Sequence, residues 1–538
     1  MLTFALNYSL AGNMDSYSVK LTNILIHLIN GIGIFFLTLA LLRRFSPGLS
    51  RTTPGPNLVA ILTTSIWLLH PLHVSTVLYS VQRMTMLSAL FSIYGCLAYI
   101  YLREKLLEDN KYPVLTPVAI VLFTLLAFFS KENGALLPGL LLLIEFFCFR
   151  FRFHPACSPF YRFCLLTLLT GPVLFVCGYL GNVLVHTLGQ DLPRYFFTAD
   201  QRLLTQPRVL WQYVGWIYFL NPAPMSIIQD DFVTSMSLFQ PVTTIISLLA
   251  WLAVTGMAIF FIKTRHILIF GLLWFLWGQI LESSVLPLGM IFEHRNYLPS
   301  YGLLLGLAAT FAVFYQSSKF NKPIKIILLA LVFLFVPAYL LQQRAANWEN
   351  AGSLILSLLH KQPDSAYVYS EASAFLDAAG KGDEAIAAIR QAQALEPRET
   401  GYIFTEAALQ CHYHPATAFS NKLKDKIAST AGLKKTTAYF LHQFRVFAEL
   451  CGKAGTNKDF MMDFYNKVKD TGYDRFSSVV YYGIGVIYYF SGEYQKTVDA
   501  FRTAIDRAPD WLPLEPEIRR IEANRKALEE NFRSKKPE

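Results

Sequence analysis

Three ionisable residues, Glu293, His294 and Arg295, stand side by side between two long apolar stretches of the chain. Ionisable side chains beside a bilayer are rare, and they usually face the interior of a helix bundle or a wet cavity. An imidazole can transfer protons near neutral pH, and a guanidinium can bind two phosphate oxygens at once. This triplet therefore indicates either a binding site or an ion pair that locks a loop.

Similar polar groups interrupt the apolar chain before this triplet. His70 and His73 end one apolar run and Arg83 follows them, while Lys131 and Glu132 are adjacent at a later turn. Two histidines are too few for a zinc site, and an adjacent lysine and glutamate can simply pair with each other. Together, however, these groups match an enzyme that takes a sugar from a polyprenyl phosphate, because cations hold the phosphate and a base activates the acceptor hydroxyl.

The connection 186–240 adds further candidates. It contains Arg202, an aromatic stretch 211–218 typical of a helix at the membrane interface, and the acidic pair Asp230 and Asp231. The pair can serve as a base or a metal ligand, although acidic pairs in loops are more often only solvated. No glycine-rich nucleotide loop of the Walker or dinucleotide type occurs. A lipid-linked donor therefore fits better than a soluble nucleotide.

Composition places these groups in a membrane protein. Of 538 residues, 54% are hydrophobic and only 16% are charged, far from the average of soluble proteins. The net charge of +10 resides in short loops between apolar runs, which favours membrane topology over nucleic-acid binding. Ten runs predict membrane spans: about 19–42, 58–69, 84–102, 114–129, 135–149, 163–185, 242–262, 267–288, 298–315 and 324–341.

Lysine and arginine divide the connections between these runs into two sets. The basic loops at 43–51, 103–111, 150–162, 263–265 and 319–325 are predicted to be cytoplasmic, because positive loops stay inside. The polar motifs, the residue Met1 and everything after the last run then fall on the opposite, outer face.

The chain beyond about residue 343 becomes a polar helical sequence. Windows 366–399 and 479–509 match the tetratricopeptide pattern of interlocking small and large residues with a final proline, and 438–451 with 459–469 looks like a degenerate helix pair. Three such units can form a solenoid. This unit is either a peptide-binding groove or merely a stable cap. The seven cysteines lack metal-type spacing, and we interpret them as buried, inert thiols.

Several motifs, in their order along the chain, resemble bacterial relatives of the transmembrane and tetratricopeptide repeat-containing O-mannosyltransferases. These are C-type membrane glycosyltransferases with lumenal repeats, and the resemblance covers most of the chain. It rests on residues 4–8, 20–31, 70–73, 82–83, 130–132, 202–206 and 293–295 with Tyr297, Pro299 and Ser300.

The resemblance also implies a feature that this sequence does not contain. Family members carry a further span and an acidic loop, with the catalytic Asp, before the segment that matches residues 1–8. Asp15 aligns with a later, non-catalytic stretch. We expect a misassigned start rather than a truncated, inactive copy, because the other outer motifs are intact.

We therefore predict an all-α protein: a polytopic bundle of about ten spans in residues 1–342 and a periplasmic tetratricopeptide α-solenoid in 343–538. Its predicted function is to move a sugar from a polyprenyl-phosphate donor to a protein acceptor at the bacterial inner membrane. The alternatives are a non-catalytic scaffold for envelope complexes and a surface-polysaccharide polymerase or ligase.

No cofactor or resident metal is predicted, although the sequence is compatible with a divalent metal ion, and nucleic acid is not a predicted partner. The candidate catalytic carboxylates are Glu132, Asp230, Asp231 and Glu293, and the candidate ligands of the phosphate or sugar are His70, His73, Arg83, Lys131, Arg202, His294, Arg295 and Tyr297.

Overall fold

A computed structural model describes residues 2–12, 15–45, 55–190, 197–230, 232–264, 266–317, 322–430, 438–470 and 477–507, and the isolated residues 523, 526, 527 and 530. Throughout this part of the chain the regular structure is helical and no β-strand occurs, so the predicted all-α class is confirmed. The chain divides near Ser353 into two units, each with its own internal contacts.

The first unit contains α-helices joined by short 3-10 and π-helical turns. The 3-10 turns are Pro71–His73, Ser80–Gln82, Glu132–Leu136, Ile262–Thr264 and Glu293–Asn296, and the π-helical turns are Glu145–Phe149 and Leu331–Phe335. The α-helices are α1 (Leu2–Ala11), α2 (Ser16–Phe45), α3 (Gly55–Leu68), α4 (Val74–Leu78), α5 (Arg83–Asp109), α6 (Leu115–Ser130), α7 (Leu137–Ile144), α8 (Pro159–Thr187), α9 (Ala199–Phe219), α10 (Thr243–Phe260), α11 (Ile267–Gln279), α12 (Ser300–Ser317), α13 (Lys322–Ala330) and α14 (Val336–Ala346).

Among the residues of this unit that the structure describes, six helical segments are long and apolar enough to cross a membrane, and a seventh is added if the bent pair Pro56–Leu68 and Pro71–Leu78 counts as one span. Helices suit the bilayer because their backbone groups are satisfied internally. Only 17% of the apolar window of α8 is buried, as is the same share of α10, so these helices expose apolar faces that lipid would cover. The six segments are Ser16–Phe45, Ser80–Asp109, Glu132–Phe149, Pro159–Thr187, Thr243–Phe260 and Pro323–Ala346.

Each of the ten predicted apolar runs contains a helix, but the apolar helices Leu115–Ser130, Ile267–Gln279 and Ser300–Val313 are shorter than the length that identifies a span. The count of ten spans therefore stays a prediction. The predicted run 267–288 is too long, because its helix ends at Gln279 and the residues that follow form an irregular segment.

The centre of the first unit is a close packing of α2, α3, α5, α11 and α12 around large buried side chains such as Trp67 and Trp274. Gly271 on α11 and Gly302 on α12 allow these two helices to touch, since a Cβ added to either would collide with the backbone carbonyl of the other. Small residues at a contact let helix backbones approach closely in membrane bundles.

The second unit is a succession of shorter helices. Gly380, Gly455 and Gly492 lie in three of the turns between them with φ of 73°, 76° and 73°, a left-handed conformation that glycine adopts without strain. The tetratricopeptide solenoid stays a prediction, and its final Pro509 lies outside the described residues. The helices are α15 (Ala351–Lys361), α16 (Ala366–Ala378), α17 (Gly382–Leu395), α18 (Gly401–Tyr413), α19 (Asn421–Ser429), α20 (Ala438–Ala454), α21 (Lys458–Asp470), α22 (Ser477–Phe490) and α23 (Tyr494–Asp506).

Cys411 on α18 and Cys451 on α20 form a disulfide bond. This bond, together with the exposed positions of Cys164 and Cys177, corrects the interpretation that all the cysteines are buried, inert thiols. The two bonded residues are 40 positions apart, so only the packing of α18 against α20 reveals the pair. The other five cysteines belong to the first unit and are free.

Replacing both Cys411 and Cys451 with serine should lower the free energy of opening of α18 and α20 by about 2–4 kcal/mol, because the bond restricts the unfolded chain. Hydrogen-exchange mass spectrometry of the full chain in detergent would measure this change. Cys164→Ser, at an exposed free cysteine of α8, is the matched control. Alkylation of Cys411 and Cys451 in the unreduced, unfolded chain would contradict the bond.

Candidate functional site

A cavity lies among α5, α7, α11 and the turn Glu293–Asn296. Its volume, taken as the space open to the centre of a water molecule, is about 40 Å³. Most of its lining is apolar and comes from leucines of residues 136–140, Leu298 and Trp274. Its polar lining consists of Thr85, Ser88 and Ser92 of α5, Asn133, and the side chains of Lys131, His294 and Arg295.

Lys131 and Arg295 share the carboxylate of Glu282. The Lys131 Nζ lies 2.8 Å from one oxygen of Glu282, and the Arg295 Nε lies 3.5 Å from the other. All three side chains are buried. Since two cations face one carboxylate, the cluster keeps an excess of one positive charge.

Electrostatics fixes the protonation of two groups in this cluster, both of which lie outside the candidate membrane spans. Burial alone would raise the pKa of Glu282, but the charges of Lys131 and Arg295 outweigh it and lower that pKa to about 2. Burial, helped by the charge of Lys131, lowers the pKa of His294 to about 3. At neutral pH the carboxylate is therefore ionised and the imidazole is neutral.

The position of Lys131 follows from the turn after α6. Lys131 is extended and ends α6, and its carbonyl accepts a 2.8 Å hydrogen bond from the N–H of Gly134. A Cβ at Gly134 would collide with the backbone of α6 at Ala127, so only glycine lets the turn fold back this closely. Glu132, by contrast, is exposed and does not line the cavity.

Arg202 on α9 is buried and holds the irregular segment that follows α11. Its guanidinium donates to the carbonyls of Glu282, Ser284, Leu288 and Gly289 at 2.5, 2.9, 2.7 and 2.8 Å. These bonds explain how the segment leaves the helix with its carbonyls satisfied, and they fix the backbone of Glu282. The geometry favours this supporting role for Arg202 over the predicted contact with phosphate.

Arg83 is also engaged with the protein and does not line the cavity. It binds α1 and α2, and its guanidinium lies 4.1 Å from the centre of the Phe4 ring. This geometry favours a role in holding α1 over the predicted contact with phosphate. The acceptors of its hydrogen bonds are the Thr3 carbonyl (3.0 Å), the Asn7 Oδ1 (2.5 Å), the Val19 carbonyl (3.1 Å) and the Asn23 Oδ1 (2.7 Å).

The predicted ligands His70, His73 and Tyr297 are fully buried side chains outside the cavity lining. The Nδ1 of His70 accepts from the N–H of Leu72 and caps a 3-10 turn, and its Nε2 lies 3.0 Å from the Ile217 carbonyl. His73 and Tyr297 pack edge to face at 5.0 Å. Their contacts are those of core groups, with the Tyr297 hydroxyl 2.7 Å from the Nδ1 of His27.

Glu293 is bound by Arg344, a residue that the sequence did not single out. One terminal nitrogen of Arg344 lies 2.5 Å from both carboxylate oxygens, and the other donates to the Pro71 carbonyl at 2.6 Å. Both side chains are buried. Arg344 thereby ties the end of α14 to two turns, one of which carries His294 and Arg295. The one sequence signal was an arginine just after the last apolar run.

Among the residues that the structure describes, none of the candidate carboxylates lines the cavity. Asp230 is exposed, Asp231 lies outside the described residues, and Glu293 is held by Arg344. Within the described chain, no group of three or more His, Cys, Asp or Glu side chains is placed to hold a metal ion. What the arrangement can do is bind an anion next to an apolar wall.

A scan against protein-family models finds no match for this chain, and a search of the curated proteins finds no significant match either.

Arg344→Met should destabilise the first unit by about 3–5 kcal/mol, because it leaves the Glu293 carboxylate buried and unpaired. Combining it with Glu293→Gln should restore part of that loss. Denaturant unfolding in detergent would measure both. Lys111→Met, at an exposed pair with Asp109, is the control and should change little. A double variant as unstable as the single one would contradict the pairing.

Glu282 should make stability depend on pH in the acid range. Its pKa of about 2 in the folded chain lies below the ordinary 4.5, so the ionised carboxylate stabilises the fold above pH 4.5 and this contribution disappears as the pH falls toward 2. Thermal unfolding between pH 5.5 and 2.5 should show a smaller acid loss for Glu282→Gln than for the unaltered chain. The exposed Glu132→Gln is the control; an equal change in both variants would contradict the assignment.

Proposed function

We propose that this chain is a membrane glycosyltransferase that takes a sugar from a polyprenyl-phosphate donor and passes it to a protein acceptor at the periplasmic face of a bacterial inner membrane. The observation that carries the proposal is the cavity in which Lys131 and Arg295 stand beside an apolar wall. A polyprenyl phosphate has the complementary chemistry, an anion attached to a long apolar chain.

Charge and burial both favour such a ligand. The cluster of Lys131, Arg295 and Glu282 has one uncompensated positive charge, and charges interact strongly where water is excluded. Lysine and arginine donate short, charge-assisted hydrogen bonds to phosphate oxygens. Leu137 and Leu140 of α7 supply apolar surface in the same cavity, which an isoprenoid chain can cover.

The second unit supports a role in holding a protein acceptor. We propose that its successive helices form a tetratricopeptide solenoid, a fold that offers an extended concave binding surface. The disulfide between Cys411 and Cys451 supports a periplasmic location, because such bonds persist in oxidising compartments. The proposed topology of ten spans places this unit and the polar motifs on the same face.

The chemical step needs a base for the acceptor hydroxyl. In the family that the sequence resembles, an aspartate of an acidic loop is the catalytic residue. The donor site proposed here does not depend on that residue, so binding of the donor can be tested separately from transfer. A scaffold without catalytic function would bind no donor, and a polysaccharide polymerase or ligase would bind one but leave proteins unmodified.

The chain in lipid nanodiscs should bind a polyprenyl phosphate more tightly than the uncharged polyprenol of equal length. Lys131→Met should weaken binding of the phosphate by about 10- to 100-fold, because it removes a charge-assisted hydrogen bond, while Lys111→Met should not. Quenching of tryptophan fluorescence, with Trp274 in the cavity wall, would follow the titration. Equal affinity for phosphate and alcohol would contradict the proposal.

A further inference from the structure

Asn133 is a cavity residue to which the proposed phosphate site gives no role. It lies two positions after Lys131 in the turn Glu132–Leu136, and its side chain lines the cavity. Its Oδ1 is buried and has no hydrogen-bond partner within the described structure. A buried carbonyl oxygen without a donor is rare in folded proteins and calls for an explanation.

The missing partner of Asn133 must be a hydrogen-bond donor, because an amide oxygen only accepts. A phosphodiester has no proton to give, so the phosphate cannot fill this position. The nearest basic group along the chain, the Lys131 ammonium, contacts Glu282 at 2.8 Å and Thr85 at 3.2 Å, and its third proton is the one that the proposed phosphate site uses. A hydroxyl group of the ligand has the required donor.

The side chains of α5 that line the cavity also favour a ligand group that donates hydrogen bonds. The Thr85 hydroxyl donates its proton to Gln82 at 2.8 Å, and the Ser92 hydroxyl donates to the Ser88 carbonyl at 2.8 Å. Each hydroxyl has one proton and two acceptor positions, so these residues present oxygen acceptors to the cavity. A ligand rich in hydroxyl groups suits this lining better than one rich in acceptors.

We infer that Asn133 and Ser92 form a subsite that recognises hydroxyl groups of the donor's sugar, while Lys131 and Arg295 bind its phosphate. This inference rests on the proposed function, since both ligand groups occupy the same cavity. According to this inference, Asn133 makes the chain bind the glycosylated lipid more tightly than the bare lipid phosphate.

The experiment compares two ligands that differ only in the sugar: a hexosyl polyprenyl phosphate and the polyprenyl phosphate itself, titrated against the full chain in nanodiscs. Asn133→Leu, which keeps the size but removes the acceptor, should weaken binding of the hexosyl lipid by about 3- to 10-fold, the effect of one neutral hydrogen bond. Binding of the bare lipid phosphate should stay within about twofold. Ser92→Ala should show the same selective loss.

The matched control is Asn421→Leu at an exposed position of α19, which should change neither affinity. The thermal midpoint of Asn133→Leu should be equal or higher, because the substitution removes an unsatisfied buried acceptor. If the unaltered chain binds both lipids and Asn133→Leu weakens both equally or neither, the subsite is wrong but the donor site stands. If the unaltered chain binds neither lipid, the proposed function and the subsite are both wrong.

Discussion

The first unit depends on one constraint: a charge removed from water must meet an opposite charge or several hydrogen bonds, because an isolated buried ion is very unfavourable. Glu282 meets Lys131 and Arg295, Glu293 meets Arg344, and Arg103 binds both carboxylate oxygens of Glu145 at 2.8 and 3.0 Å. The buried guanidinium groups of Arg83 and Arg202 instead bind backbone carbonyls and asparagine side chains. These pairings decide where the loops between helices can lie.

This constraint explains how a precise site can be built from segments with little regular structure. After a last turn in which the N–H of Ser283 donates to the Gln279 carbonyl at 2.8 Å, the segment that follows α11 is irregular, and Arg202 holds it with four bonds to its carbonyls. The turn Glu293–Asn296 is fixed from one side by Arg344 through Glu293, and Arg295 of the same turn reaches the cavity. Rigid ion pairs behind a turn leave its remaining side chains in defined positions for a ligand.

The sequence was sufficient for features that repeat along the chain and insufficient for those that depend on packing. Apolar runs predicted the helices, because burial in lipid or in a core requires apolar residues at most positions. The polar motifs predicted groups of chemical interest, and the structure places Lys131 around one cavity with His294 and Arg295, which follow it by more than 160 positions in the sequence. The sequence could not show which residues contact each other, because the contacts join residues that are far apart in the chain. Examples are the ion pair of Glu293 with Arg344, the disulfide bond of Cys411 with Cys451, and the bonds from Arg83 and Arg202 to backbone carbonyls.

Two of the buried charge clusters of the first unit differ in balance, and the proposal that one of them is a binding site rests on this difference. Glu145 is matched by the single cation Arg103 and by the Tyr99 hydroxyl at 2.6 Å, so the pair has no excess charge to offer a ligand. Glu282 is shared by Lys131 and Arg295, and the neutral His294 adds nothing to the sum. Two cations without a carboxylate would repel each other when the cavity is empty, and one cation with one carboxylate would not attract an anion. Two cations on one carboxylate satisfy both needs, because the cluster is stabilised without a ligand and still has the one positive charge that the proposed phosphate site requires.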